Sequence, residues 1–399
     1  MKDDALKTDI AVIGGGASAL ALAAMMKNRR VSVFERGARV GKKLLSTGNG
    51  KCNLTSVSCA EKGYNRPDFV HGFLLSFPPE SAIRFFGSVG LVARVTEEGR
   101  VYPFSECASS VLDVLISAAE RNGACLFTRR EVKCITPAKG GFLLDVAALD
   151  EKNNEISTQK HFAENVVLAT GSCATFGSDS LSLYVSLGHK ARPFVPSLVP
   201  LKTDRESVKG LNGVRVKCAV TLCGEREEGE ILFRDYGLSG ICALNLSALY
   251  ARGVAKKGDK LSMDFAPSLS EEEIASHIGQ FKDLNAECIL RGMFHSKVAE
   301  RIMARAGQAP SLAPDAPRLA ETIKKYDLSL QGTLDASYAQ VMSGGLVPDE
   351  FDDNLQSRIR KGLYAMGEAL DVDGICGGYN LQWAWMSAAA VARGLTAKR

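Results

Sequence analysis

Hydrophobic and polar positions along the chain fall into a recognisable order. A short apolar run rich in β-branched residues, Asp9 to Ile13, breaks at Gly14-Gly15-Gly16 and gives way to the helix formers of Ala17 to Met26. A second apolar run, Val31 to Glu35, follows. The pattern predicts a βαβ opening, whose short connections favour parallel strands and a right-handed crossover. A third run, Asn165 to Ala169, ends like the first in small residues, Thr170-Gly171, where the backbone must turn or approach something.

From about Leu201 the texture changes. Val214, Val216, Cys218, Val220 and Leu222 alternate with Arg215, Lys217, Ala219 and Thr221, the period of a half-exposed antiparallel strand. Glu225 to Gly229 reads as a polar turn, Glu230 to Phe233 as the return strand, and Lys260 to Phe265 as a further strand. This block predicts a small sheet or barrel inserted into the α/β domain. Ser270 and Glu273 form a capping-box pattern ahead of Ile274, Ile278 and Phe281. Helical stretches then run to about Lys325, interrupted at Pro310 to Pro317, and strand-like texture returns over Leu328 to Met342. The chain closes with the run Leu363 to Met366, a glycine-rich loop, and a helix from about Asn380.

At 399 residues, two or three domains are expected, and 46% hydrophobic with 24% charged residues is an ordinary globular composition. A formal charge of +4 with no basic run argues against non-specific nucleic-acid binding. The cysteines number 11, an odd count, with no C-x-x-C pair, which points to reduced thiols and a cytoplasmic protein and away from a zinc site. No apolar run reaches the roughly 18 residues of a membrane span, and Met1 to Thr8 lacks a signal-peptide layout.

The densest chemistry sits in the first break. In Gly14-x-Gly16-x-x-Ala19, Gly14 allows the tight turn, Gly16 lets the backbone approach a diphosphate, and Ala19 keeps the helix close to the sheet. Ala17 and Ser18 open that helix, whose free N–H groups and positive dipole end suit phosphate. Glu35 lies 19 residues beyond Gly16 at a strand end, placed to accept from ribose hydroxyls. The glycine-dense loop Gly41 to Thr55 follows directly, able to wrap a cofactor with backbone donors.

A second dense motif runs from Gly367 to Trp385. Gly377-Gly378 precedes a helix whose N-terminus suits the pyrimidine edge of an isoalloxazine, where reduction places negative charge. Glu368 and Asp371 are candidates for ribityl hydroxyls, and Trp383 and Trp385 read as packing residues. Glu368, Asp371 and Asp373 do not complete a calcium-loop pattern, so no metal is expected.

Together Gly14-Gly15-Gly16-Ala17, Lys43 to Thr55, Pro196 to Leu201, Tyr236-Gly237-Leu238-Ser239-Gly240 and Gly367 to Trp385 resemble the bacterial BaiN-like, aminoacetone oxidase-like family of FAD-dependent oxidoreductases. The resemblance implies an α/β fold: a Rossmann-like, glutathione reductase-type FAD domain over 1–195 and 343–399. Within it the resemblance and the texture place an antiparallel β-barrel, 196–267 and 326–342, and a helical subdomain, 268–325. It implies FAD contacts at Gly14, Gly16, Glu35, Arg36, Lys43, Ser46, Gly48, Gly50, Asn53, Thr170, Gly171, Gly367, Glu368, Asp371, Gly378, Tyr379 and Asn380. Val132 looks like the residue that meets the adenine through its backbone. This chain departs from the family pattern at Ser172, where a glycine is usual, over Phe176 to Leu181, where the family is glycine-rich, and at Cys376, commonly threonine.

Only one dinucleotide fingerprint is present, so NADH or NADPH would dock transiently as electron donor. The resemblance implies reduction of a C=C bond conjugated to a ketone, in a small hydrophobic enone such as a 3-oxo-Δ4,6 bile-acid intermediate. Tyr236 is the first candidate for a pocket group that donates to the developing enolate, with Tyr379 and Cys376 second; Arg100 and Tyr102 are candidates for the same cleft. His189 reads as a residue at a helix C-terminus. A flavin-dependent amine oxidase and a flavin- and folate-dependent tRNA-modifying protein are the competing readings. Near-neutral charge and scattered cysteines argue against the second, and the oligomeric state stays open.

Overall fold

The computed structural model describes residues 6–172, 180–281 and 283–397, which form two compact units, Met1–Phe194 with Val341–Arg399 and Val195–Gln340. Most of the Phe176–Leu181 departure lies outside the described residues.

In the first unit the strand Leu6–Ile13 pairs in parallel with Val31–Phe34 on one side and with Glu155–Leu168 on the other. Between the first two runs the helix Ala17–Met25, buried from Ser18 to Ala24, lies close to the sheet because its side chains are so small. The sheet has seven strands, and Cys125–Phe127 extends it beyond Val31–Phe34. The third strand is much longer than the apolar run Asn165 to Ala169. It begins at Glu155, and its exposed polar start pairs antiparallel with Gly141–Leu149, which pairs in turn with Arg130–Ala138. Hydrophobicity cannot reveal such an exposed, polar half-strand. Its apolar end changes partner, and Val166 to Leu168 align with Leu363 to Ala365. The final helix Tyr379–Thr396 packs on Ala17–Met25.

The second unit is a closed six-stranded barrel, in the order Leu201–Thr203, Gly237–Ser239, Glu225–Arg234, Arg215–Leu222, Lys260–Asp264 and Tyr326–Thr333. Glu225 to Gly229 is not a turn but strand. Leu222 pairs with Glu225, and the reversal is made by Cys223 and Gly224 alone, at φ 50° and 88°. Two consecutive positive φ values define the tight hairpin turn that matches strand twist. The polar Glu225–Gly229 segment reads as loop because it forms the exposed part of a strand. The helix Ile241–Ala251, which the sequence reading did not find, packs on the barrel. Helices Glu271–Gln280, Ala286–Met293, Ser296–Ala306 and Ala316–Lys324 share one apolar core with the barrel strands. The capping box at Ser270 and Glu273 is present.

Candidate cofactor and active site

The first turn is built so that one glycine cannot be replaced and another leaves room. Gly14 has φ 101°, and a Cβ there would lie 2.3 Å from the carbonyl oxygen of Ala169. A Cβ at Gly16 would meet nothing within 4 Å. Gly16 caps the helix without a side-chain hydrogen bond, so the first-turn amides keep their N–H groups for a ligand. Ala19 is fully buried behind them. This is a cradle that a diphosphate fits.

Glu35 closes the turn from behind. Its Oε2 accepts from Gly15 N at 2.8 Å and its Oε1 from Gly37 N at 2.6 Å. A carboxylate has about four acceptor positions, so two stay available to ribose hydroxyls. Arg130 N donates to Glu35 O and Arg129 N to Gly37 O, both at 2.9 Å, which brings the strand Arg130–Ala138 alongside. Arg36 Nη1 lies 4.0 Å from Glu131 Oε1, and Val132 sits half-buried at an irregular register step. The ladder thus gathers Glu35, Arg36 and Val132.

The loop that follows is bonded back to the turn, Gly41 N donating to Gly15 O at 2.7 Å. Its course depends on left-handed residues: Gly48, Asn49, Gly50 and Cys52 have φ of 56°, 55°, 84° and 57°. A Cβ at Gly48 would lie 2.8 Å from Asn53 N and 3.5 Å from the Tyr102 ring. Ser46, exposed, donates its Oγ–H to Lys43 O at 2.9 Å. Three oxygens on or packed near this loop, Asn53 Oδ1, Thr55 Oγ1 and Gln382 Oε1, are buried without a protein partner. Each such atom costs ~1–3 kcal/mol, so polar ligand atoms or water belong close by. Thr55 and Gln382 lie inside the two glycine-rich motifs but are not singled out there as contacts, because an unsatisfied acceptor is visible only in three dimensions.

The C-terminal loop is fastened from several sides. Gly367, at φ 60°, packs so close to Ser18 that a Cβ would meet its Oγ at 2.8 Å. Gly378, at φ 102°, leaves 2.7 Å between a would-be Cβ and the carbonyl carbon of Thr55. The three carboxylates each have their own partners. Glu368 Oε2 takes Lys43 Nζ at 2.6 Å and Ser172 Oγ at 2.7 Å. Asp371 accepts from Gly344 N and from Arg192, both at 2.9 Å. Asp373 takes Ser343 Oγ at 3.2 Å. Asp371, 2% exposed, thus helps to brace the loop.

Tyr379 and Asn380 also work for the loop. The Tyr379 hydroxyl donates to Ser58 O at 3.2 Å, Tyr64 donates to Tyr379 O at 2.9 Å, and burial pushes both phenols above their ordinary value. The Tyr379 hydroxyl is thus tied to the backbone of the neighbouring loop. The Asn380 side chain brackets Gly374, accepting from its N–H at 2.9 Å and donating to its carbonyl at 2.8 Å. Cys376 is half-buried on the same loop. Thr170 Oγ1 bonds the Tyr184 hydroxyl, and Gly171 has φ 66°.

Tyr236 belongs to the second unit, on the hairpin between Arg234 and Gly237, where burial raises its phenol and Arg234 and a hydrogen bond to Ser239 oppose the rise. Arg100 and Tyr102 lie on the small-sheet strand Arg100–Pro103 of the first unit. His189 follows the end of the helix Leu181–Ser186, as the sequence suggests, its N–H donating to Tyr184 O at 3.2 Å, and it is buried. Its Nδ1 meets Glu350 Oε2 at 2.7 Å, and its ring stacks 4.8 Å from that of Phe351. Ser357 Oγ accepts from Ile359 and Arg360 amides, so its proton goes to His189 Nε2 at 2.9 Å. A histidine so enclosed holds loops together.

A family model described as HI0933-like protein Rossmann domain matches residues 8–394. The chain belongs to the HI0933-like Rossmann family. Among its relatives, a protein named 3-dehydro-bile acid delta(4,6)-reductase from Clostridium scindens is 33% identical, across 94% of this chain and 96% of its own length. A ribosomal RNA dihydrouridine synthase from Escherichia coli is 26% identical, across 98% of both chains. The structure of 3-ketosteroid delta1-dehydrogenase from Sterolibacterium denitrificans in complex with 1,4-androstadiene-3,17-dione aligns with a TM-score of 0.50 at 13% identity, covering 98% of this chain and 100% of that one, which supports the fold. Relatives of the HI0933-like family thus carry names for steroid and for RNA chemistry. Among the described residues no helix is long and apolar enough to cross a membrane.

Proposed function

We propose that this protein is an FAD-dependent oxidoreductase that reduces a C=C bond conjugated to a carbonyl, with NADH or NADPH as transient donor and a small hydrophobic enone of steroid type as substrate. The observation that carries the reading is the open space at Gly16 beneath free helix amides, with the Glu35 carboxylate bonded to the neighbouring Gly15 amide; the unsatisfied oxygen of Asn53 on the following loop adds to it. Gly14 to Ala19 would hold the diphosphate. Glu35, Arg36 and Val132 would hold the adenosine. Lys43, Ser46, Gly48, Gly50, Asn53, Thr170, Gly171, Glu368 and the Gly378 amide would line the rest. FAD, once reduced, supplies a hydride. The protein's part is to exclude water, orient the enone and give its carbonyl oxygen a hydrogen-bond donor, for which Tyr236 is the candidate.

Both relatives named above support the same bond chemistry. Dihydrouridine is uridine with its C5–C6 bond saturated, and that bond is conjugated to a ring carbonyl, as in a 3-oxo-Δ4 steroid. Identity of 33% against 26% favours the steroid-type substrate. An RNA uracil is the second reading, and it would replace the small molecule by a nucleic-acid partner.

The test starts from purified protein reconstituted with FAD and bleached anaerobically by NADH or NADPH. It is then offered a 3-oxo-Δ4 steroid, an unmodified ribosomal RNA transcript, or air alone. Recovery of the flavin bands with steroid supports the first reading, and recovery with RNA alone replaces it by the second. Rapid recovery in air that neither substrate outpaces favours an oxidase, and failure to take up FAD removes the proposal.

A further inference from the structure

The strand Glu155–Leu168 runs out through Thr170 and Gly171 to Ser172. Ser172 Oγ donates to Glu368 Oε2 at 2.7 Å, and Lys43 Nζ donates to the same oxygen at 2.6 Å. An ammonium and a hydroxyl occupy both lone-pair directions of Oε2. Oε1 takes no protein donor among the described residues.

This asymmetry has a mechanical meaning. An ammonium is a point charge on a flexible stem and does not fix the plane of a carboxylate. A second donor on the same oxygen does. Turning the carboxylate over would break two charge-assisted bonds at once, each stronger than a neutral hydrogen bond. Glu368 follows Gly367, which packs directly against Ser18 in the first turn of the cradle helix. The Glu368 carboxylate is thus carried on backbone that packs against the cradle helix, with one oxygen engaged twice and the other open.

We infer that Ser172 is a positioning residue for the cofactor: with Lys43 it locks the Glu368 carboxylate so that Oε1 accepts from a hydroxyl of the flavin's ribityl chain. The inference rests on the FAD reading above. It gives this chain a contact that a glycine at the same position cannot make.

The experiment is a titration of apoprotein with FAD, read by quenching of flavin fluorescence, beside a titration with ADP, which has the adenosine and diphosphate but no ribityl chain. Ser172→Ala weakens FAD binding about tenfold and leaves ADP binding unchanged, while Ser172→Thr restores FAD affinity. In a Glu368→Gln background the Ser172→Ala change costs less than about twofold, because the oriented charge is already lost. Unchanged FAD affinity in Ser172→Ala, an equal loss for ADP, or full additivity with Glu368→Gln overturns the inference. A wild-type chain that takes up no FAD overturns the cofactor reading and this inference with it, whereas wild-type binding with an indifferent Ser172→Ala overturns this inference alone.

Discussion

Trp383 donates its indole N–H to the carbonyl oxygen of Gly367 at 2.9 Å, both groups buried, so the final helix is bolted to the loop that carries Glu368. Two residues further along the helix, Trp385 does the same for Leu54 O at 2.8 Å, on the loop that carries Asn53. Two indoles on one helix thus anchor two cofactor loops that are more than 300 residues apart in sequence.

Trp383→Phe keeps most of the ring packing and leaves the Gly367 carbonyl without its donor. An unsatisfied buried carbonyl costs ~1–3 kcal/mol, so the melting temperature falls by several degrees. FAD affinity falls with it, because Gly367 and Glu368 lose their anchor. Thermal unfolding of apoprotein, compared with flavin release from holoprotein, measures the two effects.

The two glycines of the first turn separate folding from binding. Gly14→Ala drives a Cβ into the Ala169 carbonyl from a left-handed backbone, and a loss of about 3 kcal/mol or more of stability is expected. Gly16→Val meets open space and folds normally, but its side chain fills the diphosphate seat. FAD binding should then weaken by roughly a hundredfold, equivalent to ~2.7 kcal/mol. Denaturant titration of the two apoproteins and FAD titration of Gly16→Val check the pair.

Much of this geometry was readable in the sequence. Gly14, Gly16 and Glu35 carry a fixed spacing because a strand, a tight turn and a helix have fixed lengths, and the structure brings these residues together. The barrel showed itself in the alternation from Val214 to Leu222, the face of a strand with one side buried. What escaped had physical reasons. Glu155 to Lys160 is strand, but exposed and polar, and Glu225 to Gly229 likewise. Ile241–Ala251 is apolar on all sides and has no periodicity to betray a helix. At the site, residue type singled out Asp371, Tyr379 and Asn380 but gave no sign of the bonds they make with Gly344, Ser58 and Gly374. Thr55 and Gln382 lie within the two motifs but were not singled out, since a missing partner is a property of the folded chain.

Thiol reactivity should divide sharply by environment. Burial pushes Cys52 and Cys218 up to about 12 and Cys59 and Cys242 up to about 11, whereas hydrogen bonds from Ser109 hold the exposed Cys107 below its ordinary value. At neutral pH iodoacetamide therefore labels Cys107 first and leaves the four buried thiols unmodified in native protein. Peptide mapping after brief labelling reads the order.

The same shifts set an alkaline limit. A thiol whose folded pKa exceeds its unfolded value keeps its proton longer in the folded state, so unfolding releases protons at high pH. Stability from these four groups is intact below the ordinary value of 9.0 and falls as pH rises towards about 11 to 12. Denaturation midpoints measured from pH 8 upward should decline from about pH 9, and replacing Cys218 by Ala should flatten the decline while lowering the plateau.

Hydride delivery to an enone is tested most directly by a single turnover under anaerobic conditions. Protein reconstituted with FAD and reduced photochemically is mixed with one equivalent of a 3-oxo-Δ4 steroid in deuterated water, and the product is weighed by mass spectrometry. The account predicts that the flavin bands return in step with a saturated ketone that has gained one deuterium at each carbon of the former double bond, because the flavin N5–H exchanges with the solvent. A flavin that stays reduced until air is admitted, with the steroid recovered unchanged, would contradict it.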